Sequence, residues 1–216
     1  MRVAFVSILL LSAPGLAQAQ DYSRKGTWEW SFAGLYQDAE EVDAGGGSHV
    51  AMDEGFGLGI GVGYYLSERL VVGGDVEWLA PDYTATLVDD NGIPSQFDHE
   101  LTQFNFRFKG AYYFLDGPFS PYAELGAGWT YVDSNLADGP PIVGCWWHPW
   151  FGYICDGYYE TFNETSFTYG GALGLRYRFV GDTVLRLSYN NYEVDGSGDA
   201  PDPTLNAARL EVVWGF

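Results

Sequence analysis

From residue 204 to residue 216 the chain alternates. Ala208, Leu210, Val212, Trp214 and Phe216 point one way, and Arg209, Glu211, Val213 and Gly215 the other. A period of two with unlike faces predicts a β-strand. A strand carrying Trp and Phe to its last residue suits the closing strand of a membrane barrel, with one face on lipid and the other on the lumen.

Seven further stretches repeat the pattern. In 25–36, Trp28, Trp30, Phe32 and Tyr36 oppose Glu29, Ser31, Ala33 and Leu35. In 54–65, Phe56, Leu58, Ile60, Val62 and Tyr64 interleave with glycine at every other position from Gly55 to Gly63. A glycine face is costly in a strand, and it predicts a narrow interior into which neighbouring long side chains must fit. In 69–79, Leu70, Val72, Val76 and Trp78 oppose Arg69, Val71, Asp75 and Glu77. In 99–114, Phe104, Phe106, Phe108, Tyr112 and Phe114 oppose Gln103, Asn105, Arg107 and Lys109. The remaining three are 121–131, 166–179 and 183–192, with Glu124, Arg176, Arg178 and Arg186 on their polar faces.

The connections have a rhythm of their own. The stretches 37–53, 80–98, 132–164 and 193–203 are long, polar and rich in Gly, Asp and Pro, and read as loops, while the three between them are tight turns. Long and short connections alternating around an even number of strands predict an all-β fold, an eight-stranded antiparallel up-and-down transmembrane β-barrel.

Alternation alone does not say which face is outside, because a soluble ligand-binding barrel alternates with its apolar face inward. The polar face decides. It consists mainly of Gly, Ser, Thr, Ala and Asn, with sparse charges of both signs: Arg69, Arg107, Lys109, Arg176, Arg178, Arg186 and Arg209 against Glu29, Asp75, Glu77, Glu124 and Glu211. Charges gathered on one narrow face predict a paired network filling a lumen. Aromatics mark both ends of the apolar face: Trp28, Tyr64, Tyr112, Phe114, Tyr177, Phe179, Trp214 and Phe216 at the short-turn end, and Tyr36, Trp78, Trp129, Tyr131, Phe167, Tyr169 and Tyr189 at the other. Two such bands are expected of interfacial girdles.

Composition narrows the setting. Ten Lys and Arg against 29 Asp and Glu give a net charge of −19, which makes nucleic acid an unsuitable partner. With 29 Gly, 16 Tyr, 14 Phe and 8 Trp, the usage is unlike an ordinary globular domain. A positive start at Arg2, an apolar run over 3–11 and Ala17-Gln18-Ala19 predict a signal peptide over 1–19 and a barrel domain over 20–216. No run of about 18 apolar residues offers a helical span.

The segments Pro121 to Gly128 (PYAELGAG), Gly171 to Phe179 (GALGLRYRF) and Trp214-Gly215-Phe216 resemble the small outer-membrane barrels of the OmpA-like transmembrane domain and opacity-protein type, with a weaker likeness to the OmpW family. The resemblance implies residence in the outer membrane of a Gram-negative bacterium, with outer-membrane lipid, lipopolysaccharide and the barrel-assembly machinery as partners. It also implies that Trp214 and Phe216 form the assembly signal. Such barrels serve as anchors, adhesins, small pores or lipid A-modifying enzymes, so the fold does not fix the task.

Site chemistry is thin. Cys145 and Cys155 frame CWWHPWFGYIC, and two cysteines in one loop of an exported chain read as a disulfide. A metal site on His148 and Asp156 rests on ligand types alone and is not expected. Trp146, Trp147 and Trp150 crowd the same loop, either as packing against the outer leaflet or as a contact surface for an extracellular ligand or host surface. The loop acids Asp38, Glu40, Glu41, Asp43, Asp89, Asp90, Asp195, Asp199 and Asp202 read as a solvated surface. A catalytic cluster of Ser95, His99 and Glu100 is unfavourable, because an extended segment would separate Ser95 from His99 by about 13 Å. The reading is therefore a non-enzymatic barrel without cofactor, structural or surface-interacting, with its lumen mostly plugged. The alternatives are a small passive pore and, less favoured, a lipid A-modifying enzyme.

Overall fold

The computed structural model describes residues 23–45, 47–88, 94–138, 140, 142–150, 152–159, 161–179, 183–195 and 202–215. Fourteen strands are found among them. They are β1 (Trp28–Gln37), β2 (Glu40–Gly45), β3 (Ser48–Met52), β4 (Gly55–Tyr65), β5 (Leu70–Leu79), β6 (Asp82–Val88) and β7 (Pro94–Glu100), followed by β8 (Thr102–Tyr113), β9 (Phe119–Ala137), β10 (Ile142–His148), β11 (Gly152–Tyr158), β12 (Thr161–Arg178), β13 (Thr183–Val194) and β14 (Thr204–Gly215). No described helix is long and apolar enough to cross a membrane.

Eight strands close a barrel in the order β1, β14, β13, β12, β9, β8, β5, β4. All barrel pairings are antiparallel, each wall strand pairs with the wall strand next to it in the chain, and β1 meets β14 with Trp30 opposite Trp214 and Phe32 opposite Val212. Closure leaves no open strand edge for lipid to meet, which is what allows strands to span a bilayer. Along β1, Glu29, Ser31, Ala33, Leu35 and Gln37 are buried, while Trp28, Trp30 and Phe32 are about half exposed. The phase expected from the sequence is the phase observed.

The glycine face of β4 is where side chains from its neighbours lie. A Cβ on Gly57 would stand 2.5 Å from Leu79 Cγ, one on Gly61 2.6 Å from Ser31 Oγ, and one on Gly63 3.0 Å from the Glu29 side chain. The strand gives up its own inward side chains so that those of β1 and β5 can fill the interior.

Outside the barrel the structure departs from the sequence reading. The stretches 37–53, 80–98 and 132–164, expected to be loops, contain six of the strands. β2, β3, β6 and β7 form a four-stranded sheet, in which β3 from the first long connection pairs with β6 from the second. β10 and β11 form a separate hairpin, and the ladder between β9 and β12 extends to Ala137 and Thr161, with a register shift between Thr161 and Asn163. The stretch 99–114 is not one strand. His99 and Glu100 end β7, the buried Leu101 makes the corner, and β8 starts at Thr102.

Candidate functional site

Asp75 and Glu77 on β5, Arg107 and Lys109 on β8, Glu124 on β9, Arg186 on β13, Arg209 and Glu211 on β14, and Glu29 on β1 all project inward, because they share the phase opposite to the aromatics. Their charged ends meet. Lys109 Nζ lies 2.8 Å from Asp75, 3.6 Å from Glu124 and 3.7 Å from Glu211. Arg209 reaches Asp75 at 2.6 Å, Glu77 at 3.1 Å and Glu211 at 2.8 Å. Arg186 bridges Glu211 at 2.8 Å and Glu29 at 2.6 Å. Arg107 pairs with Glu77, two residues along β5 from its register partner Asp75, and its guanidinium also stacks 4.2 Å from the Tyr192 ring centre. Each of these buried cations faces a carboxylate, as burial of charge requires.

Neutral layers flank the ion pairs. Toward the long connections, Gln103 donates to Asn105 at 3.0 Å, Thr130 donates to the same Asn105 oxygen at 2.9 Å, and the Thr130 and Thr168 hydroxyls are 2.8 Å apart. Toward the short turns, Tyr65, Tyr113 and Tyr122 pack with Val71 and Ala111. Arg186 donates to the Tyr113 hydroxyl at 2.9 Å, tying this cluster to the ion pairs.

Two expected members of the network sit elsewhere, and a third has no carboxylate partner among the described residues. Arg69 is not in the lumen: it lies in the turn just before β5, exposed, and makes a two-pronged pair with Asp116 of the neighbouring turn, 2.8 Å from Nε and 2.5 Å from Nη2. The strand phase no longer holds it once the ladder has ended. The contact holds the Asp116 carboxyl below its ordinary range and raises the Arg69 guanidinium. Arg178 is half-buried at the barrel mouth near the short turns. Arg176 is inward and buried, yet no described carboxylate pairs with it.

Sequence reasoning missed several inward residues, among them Tyr65, Tyr113 and Arg24. Tyr65 and Tyr113 follow the outward Tyr64 and Tyr112, and the strand phase would have found them. Arg24 precedes every strand. The segment 23–27 folds under the mouth, with Gly26 N–H donating to Tyr65 C=O at 2.9 Å and Tyr65 N–H to Thr27 C=O at 3.0 Å, and this buries the Arg24 side chain.

On the opposite end, Cys145 faces Cys155 and Trp147 faces Tyr153 in the β10–β11 register. Trp147, Trp150 and Tyr153 are 71%, 83% and 70% exposed. The side chains of Trp146, His148, Cys155 and Asp156 lie outside the described residues, as does Phe216. Ser95, His99 and Glu100 lie on one extended strand, β7, opposite Leu87, Tyr83 and Asp82. Among the described residues no group of three His, Cys, Asp or Glu side chains is arranged to hold a metal ion.

The outer wall carries aromatics at both ends. Trp28, Tyr112, Phe114, Tyr177, Phe179 and Trp214 project near the short turns, and Trp78, Trp129, Phe167, Tyr169 and Tyr189 near the long connections. Only a lipid environment makes so large an exposed apolar surface favourable.

The chain is similar to solved barrels. Neisserial surface protein A aligns at 14% identity over 88% of this chain and 97% of that one, with a TM-score of 0.57. The outer membrane protein OprG of Pseudomonas aeruginosa aligns at 13% identity over 89% and 97%, with a TM-score of 0.50. These likenesses show the fold. None of the curated proteins compared with the sequence matches it. Residues 3–216 match the outer membrane protein beta-barrel domain. The chain therefore belongs to that family, and is an integral β-barrel of the Gram-negative outer membrane.

Proposed function

We propose that this barrel is a structural scaffold with a closed lumen that presents its β10–β11 hairpin to an extracellular ligand or host surface. The observation that carries the reading is the exposure of Trp147, Trp150 and Tyr153 on a hairpin that stands apart from the barrel wall. Tryptophan and tyrosine offer large contact area at small entropic cost, and are favoured where proteins bind others. The opposition of Cys145 and Cys155 supports a cross-strand disulfide that pins the hairpin. The reciprocal ion pairs of Asp75, Glu77, Arg107, Lys109, Arg186, Arg209 and Glu211 support a closed interior. Residues 1–19 act as the exported leader, and Trp214 with Phe216 as the signal read by the assembly machinery. Lipopolysaccharide surrounds the outer half of the wall.

Planar-bilayer recording tests the lumen: the refolded barrel is expected to be silent, and stable ion steps that change when Arg107 or Glu124 is neutralised would replace the scaffold by a pore. Replacing Trp146, Trp147 and Trp150 together tests the surface. Adhesion of barrel-expressing cells to host cells should fall to the level of cells without the barrel while the heat-modifiable folded band is retained; unchanged adhesion refutes the surface role.

A further inference from the structure

We propose that the mouth of the barrel near the short turns, its periplasmic end, is a binding site for a free tetrahedral oxoanion of the phosphate type, held between Arg24 and Arg176.

The charge pattern of the interior points there. Arg107, Lys109, Arg186 and Arg209 each pair with carboxylates. Arg176 is 2% exposed, no described carboxylate pairs with it, and its guanidinium lies 5.4 Å from the Tyr113 ring centre. Its Nε has no hydrogen-bond partner. Arg24 is 3% exposed and lies 5.6 Å from the same ring. Its Nη2 donates to the Asp116 carbonyl at 3.1 Å, but its Nη1 has no partner.

Both arginines line one small pocket with Tyr65, Arg178 and Glu29. Glu29 is the only carboxylate among its lining residues, and Arg186 holds it at 2.6 Å. A guanidinium in a buried site without a counter-ion is unfavourable unless an anion or water answers it. Two guanidiniums that line one pocket, each with an unpartnered N–H, match an oxoanion, which accepts from several donors at once.

The position selects the ligand. The pocket lies inside the barrel wall, and the 23–27 segment folds beneath it. A headgroup still attached to its acyl chains remains outside that wall, so the occupant is a free ion from the periplasm.

The experiment uses the full mature barrel refolded in an uncharged maltoside detergent. Inorganic phosphate is titrated against chloride at constant ionic strength, and followed by calorimetry and by the Tm of the heat-modifiable band. Saturable phosphate heat and a phosphate-dependent rise in Tm are expected for the wild type. Arg176→Gln should weaken phosphate at least tenfold, and Arg24→Gln should do the same should the first variant not fold. Lys25→Gln, at an exposed position of the same segment, should bind like the wild type. A wild type that responds to phosphate no more than to chloride overturns the site, as does full phosphate binding by the arginine variants.

Discussion

Arg186 crosses the lumen from β13 to Glu29 on β1, with Nη1 2.6 Å from the carboxylate, while its Nε holds Glu211 on β14 at 2.8 Å. One side chain thus fastens three adjacent strands across the seam where the first and last strands meet. Arg186→Met would leave the buried Glu29 without its cation, while Glu211 keeps Arg209, and is expected to cost about 3–5 kcal/mol. Urea unfolding in phosphatidylcholine vesicles, followed by tryptophan fluorescence, reads the loss. The double variant Arg186→Met/Glu29→Met should recover part of it; equal losses in both would show that Glu29 is not coupled to Arg186.

Strand spacing is enforced at Gly128, where a Cβ would run into the Phe106 carbonyl oxygen and the Arg107 Cα across the β8–β9 ladder. Gly128→Ala should destabilise the barrel by about 1–3 kcal/mol, since backbone on the far side has no room to yield. Gly34 is outward with nothing within 4 Å of its added Cβ, so Gly34→Ala should be neutral or stabilising by up to about 1 kcal/mol. Parallel urea titrations of the two variants check the ordering.

The segment under the mouth is fastened by acid-sensitive bonds. Glu68 accepts from the Ser23 hydroxyl at 2.5 Å and from the Arg24 and Lys25 N–H groups at 2.9 and 3.2 Å. The Ser23 bond first, then the Arg24 amide, holds its carboxyl below the usual glutamate range. A carboxyl with a lowered folded value stabilises fully above its unfolded value, and loses that contribution as pH falls through the folded one. The protection factor of the Gly26 amide, the unstructured exchange rate divided by its own at the same pH, should therefore stay high at neutral pH and fall as the pH drops below the normal glutamate range. In Glu68→Gln it should be low already at pH 7, and a pH-independent protection factor in the wild type would refute the link.

Reduction of the proposed Cys145–Cys155 disulfide is expected to loosen the hairpin by about 2–3 kcal/mol, the magnitude for a loop of this length. Amide exchange within β10 and β11 should rise on adding reductant, while barrel amides remain protected. Unchanged hairpin protection would mean that the ladder alone holds it.

The barrel was readable because its physics is periodic. Trp28, Phe106 and Trp214 face lipid while Glu29, Arg107 and Arg209 face inward, and that opposition repeats along every wall strand. The extracellular strands had no such signature. β2, Glu40–Gly45, reads EEVDAG, and what orders β3 is pairing with β6, more than thirty residues away by sequence, on a sheet exposed to water on much of both faces. Arg69 and Arg24 were misread or missed for a related reason. Both lie beyond the ladder ends, where turn geometry and the partners Asp116 and Glu68 replace strand phase.

The β3–β6 pairing has a consequence for how the exterior can change. Because it welds the first two long connections into one sheet, residues facing each other there, such as Val50 and Ala85, must vary in step, and a tag or epitope inserted into either would disturb both. Among the described residues the β10–β11 hairpin belongs to no other sheet. Its turn at Pro149 and Trp150 is thus the place where foreign sequence can be grafted and displayed while the rest of the surface stays as it is.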